Sequence, residues 1–289
     1  MMRFVCTLLS IILLSACGAS PAAKEVPQVV VASPTVPLPP TATAAPTEIP
    51  KMLGPCQNPF LPLAEGNTWQ YQTTNERGVF SYSLEALAFS KDRTETMLLR
   101  FSDTTSKISI EELVVCQDGA IDNFPNYVMD MLVADRLDKL LDTVHQKDPS
   151  MPGYDAFAAA GWKMDWSTTY LTEDNASLID PVTKEGLVIG RSSELGLKYS
   201  LDGTVEEVTV PAGTFEAFVV AHSFEFLVTI PAKYTNSAAA VLTVYTTQWY
   251  APNIGLVKST VDKATIRSGG LEMDVPLDGM VELTQFHIE

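Results

Sequence analysis

The sequence is short of basic residues and histidine, and has no long apolar run beyond its start. Lysine and arginine number 19 against 35 aspartate and glutamate, which gives a formal net charge of −16 at pH 7. Nucleic-acid phosphates and anionic bilayers attract basic surfaces, so a chain this acidic is unsuited to binding either by charge. We therefore expect no nucleic-acid partner.

Motifs typical of enzymes and metal sites are also missing. The 289 residues contain no Gly-x-Ser-x-Gly nucleophile elbow, no phosphate-binding loop and no dinucleotide-binding glycine pattern. The histidines, His145, His222 and His287, are widely separated and lack metal-ligand spacing. Neighbouring acids such as Glu111 and Glu112 point to opposite faces of a strand and cannot act as a catalytic pair. We predict a protein that is not an enzyme, with no catalytic residue, metal or cofactor.

Residues 1–16 predict a secretory signal peptide of the lipoprotein type. Arg3 precedes an apolar run from Phe4 to Leu14, which is shorter than the about 20 residues that span a bilayer. The run leads into Leu14-Ser15-Ala16-Cys17, which resembles the lipobox of bacterial lipoproteins. We expect Cys17 to become the N-terminus, carry diacylglycerol and palmitate, and anchor an extracytoplasmic protein to the cell membrane. The alternatives are a plain signal peptide with an accidental cysteine, or a short membrane helix.

Residues 17–54 differ in composition from the rest of the chain. They are rich in proline, alanine and threonine and contain no aromatic residue. Such a segment cannot bury enough apolar surface to offset the entropy lost on ordering. We predict a disordered linker that joins the lipidated cysteine to a β-rich globular domain at 55–289. An ordered arm lying along the domain is the alternative.

Two cysteines remain once Cys6 in the signal and Cys17 are set aside. Cys56 and Cys116 would lie on the oxidising side of the membrane, where an even pair is expected to form a disulfide. The bridge would close a long loop and, by the chain-entropy account, stabilise the fold by about 4 kcal/mol. Two buried free thiols are the alternative.

Apolar and polar residues alternate with period two through most of the domain. Trp69 and Tyr71, for example, alternate with glutamines, which is typical of half-buried strands. Further strands are predicted over 80–85, 94–102, 106–116, 166–173, 196–201, 204–210, 215–229, 239–250, 255–267 and 279–288. The turns predicted between strands are 75–78, Asp118-Gly119, Asp202-Gly203, 268–270 and Asp278-Gly279. We expect a mainly β domain with a single curved antiparallel sheet, a half-open β-barrel, and one or two helices packed on its concave side.

Two segments depart from this alternation. From Tyr127 to His145 apolar residues recur at spacings of three and four, which predicts a helix over about 125–145 laid against the concave side. Downstream, Gly161 to Trp166 holds two tryptophans in six residues. This tryptophan segment is interpreted either as a plug of the core or as a site on which a ligand stacks.

Three motifs resemble those of a known family. They are Phe60-Leu61-Pro62-Leu63 followed by Gly66-Asn67-Thr68-Trp69-Gln70-Tyr71, the hairpin sequence Val208-Thr209-Val210-Pro211-Ala212-Gly213-Thr214-Phe215, and the stretch from Trp249 to Lys258. In order and spacing they resemble the TapB-like bacterial lipoproteins, whose fold is similar to the half-open barrels of LolA and LolB. The resemblance implies that fold and an envelope location. The helical segment and the cysteine loop depart from the family pattern.

Two functions of different class are consistent with these features. The domain is predicted to be a non-catalytic binding or scaffold module of the cell envelope; the alternative is a carrier of a lipid or acyl chain in the concave face. The expected partners are the membrane, through the N-terminal lipid, and either an envelope protein or a hydrophobic ligand. The candidate hydrophobic face consists of Trp69, Tyr71, Phe80, Tyr82, Trp162, Trp166, Phe215 and Trp249. A filled interior would favour the module, and an open apolar trough above about 300 Å³ would favour the carrier.

Overall fold

The computed structural model describes residues 49–51, 56–89, 96–103, 108–122, 131–132, 143–147, 149–179, 186–230 and 238–289. Its strands are β1 (Gln57–Asn58), β2 (Leu61–Pro62), β3 (Thr68–Asn75), β4 (Gly78–Phe89), β5 (Thr96–Asp103), β6 (Ile108–Gln117), β7 (Ala120–Asp122), β8 (Thr143–Lys147), β9 (Met164–Thr172), β10 (Ala176–Ile179), β11 (Gly186–Ile189), β12 (Glu194–Val210), β13 (Gly213–Ile230), β14 (Ala238–Ala251), β15 (Gly255–Ser268), β16 (Leu271–Asp274) and β17 (Met280–His287). A short helix, α1, spans Tyr154–Ala159.

One large antiparallel sheet organises the unit Glu48–Glu289. Its strand order is β7-β6-β5-β4-β3-β17-β15-β14-β13-β12-β9-β8, with β11 beside the end of β13 and β16 beside β15. The sheet curls into a half-barrel, so the predicted fold class is confirmed. No helix in the described part of the chain is long and apolar enough to cross a bilayer.

The central strands show how the sequence specifies this sheet. Along β13, even positions from Phe218 to Val228 are buried, whereas most of the odd positions between them are at least partly exposed. The register pairs Phe224 with Val244 of β14 and with Leu197 of β12, so buried side chains of neighbouring strands meet on one face. Cross-strand pairs of apolar side chains on a shared face hold the strands in register. This face carries the core.

The N-terminal segment and the loop before α1 hold the first strands in place. Cys56 and Cys116 form a disulfide across a sequence separation of 60. The buried Asn58 amide donates to the carbonyl oxygens of Gly119 and Pro152, both at 2.7 Å. Met151 exchanges two backbone hydrogen bonds with Ile121 of the edge strand β7, at 2.8 and 3.0 Å. In the same loop, the Ser150 hydroxyl forms a hydrogen bond with the Tyr170 hydroxyl of β9. The loop therefore connects β7, at one edge of the sheet, to β9.

The predicted helix over 125–145 is wrong at its C-terminal end. Met131 and Leu132 are helical and fully buried. Thr143–Lys147, however, form β8, in which Thr143 pairs with Thr172 of β9. The backbone groups of β9 offer hydrogen bonds to residues 143–147. Pairing with β9 therefore outweighs the helical spacing of the apolar residues in this segment. The remainder of the predicted helix lies outside the described residues.

The predicted turn at Asp202-Gly203 is also wrong. β12 continues through it as one strand with an irregularity between Leu201 and Val205, while β13 runs past without interruption. Gly203 has a φ of +84°, and the Asp202 carboxylate accepts a hydrogen bond from the backbone of Thr204 at 2.8 Å. The turn residues thus produce a bulge in a long strand, because both flanks stay paired to the same neighbour.

Residues 49–51, which lie within the linker predicted over 17–54, contact the domain. The Tyr154 hydroxyl donates to the carbonyl oxygen of Ile49 at 2.7 Å, and Lys51 lies 2.7 Å from the Asp155 carboxylate. The Asn253 amide donates to the carbonyl oxygen of Pro50 at 3.2 Å. These contacts fix residues 49–51 beside α1. The other residues of the predicted linker and the signal peptide, Cys17 among them, lie outside the described residues.

Candidate functional site

Four of the eight candidate aromatic residues lie together on β3 and β4. Trp69 and Tyr71 are fully buried, and Tyr71 pairs directly with Tyr82, so alternation also places Phe80 on this face. The Trp69 indole donates to the carbonyl oxygen of Ile254 at 2.6 Å. The Tyr71 hydroxyl donates to the carbonyl oxygen of Leu256 at 3.2 Å. These polar atoms bind backbone of the same domain, which is the arrangement of core residues.

A second aromatic cluster packs against the buried face of the sheet. Phe60, which is fully buried, lies with its ring centroid 5.0 Å from Tyr250 and 4.8 Å from Phe157 of α1. The Trp162 ring stacks on Phe157 at 5.6 Å and on Phe218 at 5.1 Å. We call these five residues the plug. It joins the N-terminal segment, α1, β13 and β14 into one packed aromatic cluster on the buried face of the sheet.

The second tryptophan of the tryptophan segment belongs to a different stack. The Trp166 ring lies parallel to Tyr199 at 4.7 Å, and Tyr199 contacts His222 at 4.4 Å. The register places the three side chains on neighbouring strands β9, β12 and β13, where Tyr199 pairs with both Trp166 and His222. The stack is therefore a row across the sheet. Its inner end, His222, is only 4% exposed.

His222 begins a buried polar network that the sequence analysis missed. The Gln248 amide and the Thr246 hydroxyl lie 3.0 and 2.9 Å from its Nδ1 atom, and the Tyr250 hydroxyl donates to the Gln248 carbonyl oxygen at 2.8 Å. Because an amide nitrogen only donates, Nδ1 accepts and the ring proton is assigned to Nε2. The Nε2 atom has no hydrogen-bond partner among the described residues.

Burial keeps this histidine neutral. Removal from water lowers the pKa of His222 to about 3, because the charged imidazolium loses its hydration and gains no acidic neighbour. Burial likewise raises the pKa of Tyr199 well above its usual value of 10.0, and the nearby hydroxyls of Tyr250 and Tyr170 add to the shift. At neutral pH neither group is poised to give or take a proton.

Trp249 and Phe215 lie at the ends of their strands, in different surroundings. Trp249 lies on the opposite face of β14 from the buried Gln248 and Tyr250, and its indole donates to the Glu206 carboxylate at 2.9 Å. Lys258 lies 5.7 Å above the same ring. In β13 burial moves from even to odd positions before Phe215, so Phe215 is partly buried against the core, where it pairs with Val208 and contacts Phe286 of β17 at 5.9 Å.

An open groove of about 520 Å³ lies across β9, β12, β13 and β14. Its residues are Asp165, Trp166, Ser167, Lys198, Tyr199, Ser200, Ala221, His222, Ser223 and Tyr245. The register aligns two rows of them, Ser167–Lys198–Ser223–Tyr245 and Asp165–Ser200–Ala221. Alternation places these two rows on the face opposite the side chains of the Trp166 stack. The groove therefore opens on the other side of the sheet from the plug.

Among the described residues, no group of histidine, cysteine, aspartate and glutamate has the geometry to hold a metal ion. The groove holds one carboxylate, Asp165, and one ammonium group, Lys198. His222 also belongs to the groove lining, but its side chain faces the core. Among the groove residues, no histidine, cysteine or second carboxylate side chain therefore stands beside Asp165 or Lys198 on the open face. What the groove offers is hydroxyl groups, an aromatic ring and a concave shape.

Comparison with known proteins gives a family match over part of the chain. Residues 202–264 match the DUF3108-like family. The matched segment runs from the bulge of β12 through β13 and β14 into β15 and covers less than half of the chain. No curated protein matches the chain.

Two crystal structures are similar to this chain at low identity. One is a protein of Bacteroides fragilis that is described as exported and has a YmcC-like fold, with 17% identity, a TM-score of 0.48, and coverage of 79% of this chain and 98% of that one. The other, from Parabacteroides distasonis, is described as a lipoprotein, with 16% identity, a TM-score of 0.44, and coverage of 80% and 99%. Similarity at this level carries no information on activity or ligand.

Proposed function

We propose that this chain is an exported, lipid-anchored protein of the cell envelope whose half-barrel is a non-catalytic binding module. The lipobox-like sequence ending at Cys17 and the three motifs that resemble those of TapB-like lipoproteins support the location. In this proposal the lipid anchor holds the domain at the membrane surface. Binding takes place on the outer surfaces of the sheet, not in its concave interior.

The plug is the observation that carries this proposal. A carrier of an acyl chain needs an apolar cavity, and pockets for such ligands occupy about 300–1,000 Å³. Here Phe60 and Phe157 are fully buried where such a cavity would begin, with Trp162 stacked on Phe157. Asn58 anchors the segment that carries Phe60. Its side-chain amide donates two hydrogen bonds to backbone carbonyl oxygens, and its side-chain oxygen accepts a third from the Phe60 backbone N–H at 2.9 Å. The plug is therefore built into the fold and does not act as a lid.

The polar groups of the interior support a non-catalytic role. His222 is held neutral by burial, and its Nδ1 atom is already bonded to Thr246 and Gln248. A base with a pKa of about 3 accepts a proton poorly at neutral pH, and efficient general bases have values near the working pH. The network stabilises the inside of the sheet and offers a substrate no reactive group.

A fatty-acid titration tests the proposal. We expect the full-length, delipidated protein to show no saturable binding of a fluorescent fatty-acid analogue. Phe60→Ala should remove a fully buried ring and lower the free energy of unfolding by about 3–5 kcal/mol, while Leu271→Ala, at an exposed position on β16, should leave it unchanged.

Two results would overturn the proposal. Stoichiometric, saturable binding of the probe by the unmodified protein would show that the interior opens to accept a chain, and would establish the carrier. A Phe60→Ala protein of unchanged stability would show that the plug is not part of the core.

A further inference from the structure

We propose that the groove over β9, β12, β13 and β14 is a binding site for an uncharged glycan. This inference rests on the proposed function, because it names a ligand class for the binding module. It concerns the face of the sheet opposite the plug.

The shape of the groove comes from a group of small side chains. Ser167, Ser200, Ala221 and Ser223 lie in two rows on β9, β12 and β13, and Lys198 stands between Ser167 and Ser223. Larger residues at these four positions would make the sheet face flat or convex. Ser167, Ser200 and Ala221 are exposed. Three of these four side chains end in a hydroxyl, which both donates and accepts hydrogen bonds. A floor of hydroxyl groups matches a ligand that also presents many hydroxyl groups.

The charges of the groove favour an uncharged ligand. The Lys198 ammonium group lies 3.0 Å from the Glu225 carboxylate, so its charge is balanced within the sheet. Asp165 adds one carboxylate at the other end, in a chain of net charge −16 that repels anions. Carboxylates such as Asp165 are strong acceptors for ligand hydroxyl groups. An anionic ligand would find the Lys198 charge already neutralised by Glu225 and would be repelled by the negative net charge of the protein.

Tyr245 supplies the apolar part of the site. It stands at the end of one row, paired with Ser223, and 43% of its surface is exposed. Aromatic rings at binding sites combine a large flat apolar face with a polar tip. The C–H face of a pyranose ring packs on such a surface while its hydroxyl groups reach the serines. An exposed tyrosine beside a hydroxyl-lined groove is therefore better suited to a sugar than to a purely apolar chain.

A peptide bound by strand addition does not fit over the middle of the groove. There β12, β13 and β14 are each paired on both sides, whereas β8 pairs with β9 only at Thr169–Thr172. Strand addition needs the free backbone groups of a sheet edge. Over β12, β13 and β14 the ligand is therefore recognised by side chains alone.

Binding of soluble oligosaccharides tests the proposal. The full-length, delipidated protein is screened against an array of neutral glycans, and hits are measured by saturation-transfer NMR with chitotetraose, maltotetraose and an acidic oligogalacturonate. We expect neutral glycans to bind and the acidic one not to bind. Tyr245→Thr should weaken binding about tenfold or more. Ala221→Leu, which fills the groove, should abolish it, while Thr229→Leu, an exposed position on the same face of β13, should have no effect.

Three outcomes would overturn the glycan site. They are no binding across the neutral array, binding that both groove variants leave unchanged, and binding of the acidic glycan alone. Thermal unfolding of each variant separates loss of the groove from loss of the fold. Failure here leaves the non-catalytic module standing, since that proposal is decided by the fatty-acid titration and the Phe60→Ala stability, neither of which involves the groove.

Discussion

Acid should weaken this protein through His222 in a way that one substitution can isolate. In the folded state the pKa of His222 is about 3, because the ring is buried, whereas in the unfolded chain it returns to about 6.5. Below pH 6.5 the unfolded state thus binds a proton that the folded state does not. The folded pKa is depressed, so the unfolding free energy falls as pH decreases from 6.5 towards 3 and is constant above that window.

The size of the effect follows from the two pKa values. Each unit of separation corresponds to about 1.4 kcal/mol, so the full loss approaches about 5 kcal/mol below pH 3. By the same relation about 2 kcal/mol is lost between pH 7 and pH 5, and about 3 kcal/mol by pH 4. Such amounts are large against the about 5–15 kcal/mol of a typical domain.

Urea unfolding at pH 7, 6, 5 and 4, followed by tryptophan fluorescence, measures this loss. His222→Gln keeps a polar side chain beside Thr246 and Gln248 but removes the titration. At pH 7 the His222→Gln variant is less stable than the unmodified protein. Titration of the carboxylates lowers the stability of both proteins equally, so it cancels in their difference. We expect the difference between the two proteins to shrink by about 2 kcal/mol from pH 7 to pH 5. Parallel pH profiles would refute the assignment of acid sensitivity to His222.

Two further predictions concern the cysteines. Reduction of the Cys56–Cys116 bridge, or the paired change Cys56→Ala with Cys116→Ala, should lower the unfolding free energy by about 4 kcal/mol, since the bridge closes a separation of 60 residues. Calorimetry with and without reductant measures this, and an unchanged Tm would contradict it. Cys17→Ser should leave a protein without lipid that is either unprocessed or soluble. Mass spectrometry and membrane fractionation check this, and a variant of the same mass and distribution as the natural protein would exclude lipid anchoring.

The strands could be predicted from the sequence because period two is a local signal. The strands expected at 215–229, 239–250 and 255–267 lie within one or two residues of β13, β14 and β15 at each end. The order of strands around the half-barrel was not predictable in the same way. That β17 lies between β3 and β15, for example, depends on pairing between the two ends of the domain.

The candidate sites were harder to predict because they depend on register. His222, Thr246 and Gln248 form a network only once β13 and β14 are aligned, and Ser167, Lys198 and Ser223 form a row only across three strands. A weak signal was present. In β14 the inward positions read Ala240, Leu242, Val244, Thr246, Gln248 and Tyr250, so two polar residues interrupt an apolar face. A polar interruption of this kind indicates a buried hydrogen-bond network, because buried polar groups need partners.

The position of the disulfide determines how the domain responds to a pull on its N-terminus. In a protein held through Cys17, as proposed, tension arrives first at residues 49–51, which three side-chain contacts attach beside α1. When these contacts break, residues 49–51 detach from the domain and the segment between Cys17 and the domain becomes longer. The next point reached is Cys56, where the load passes through a covalent bond to Cys116 on β6. From there the force spreads along a strand that is paired on both sides. The bridge therefore works as a mechanical stop that protects the short β1–β2 segment and the plug from being peeled away.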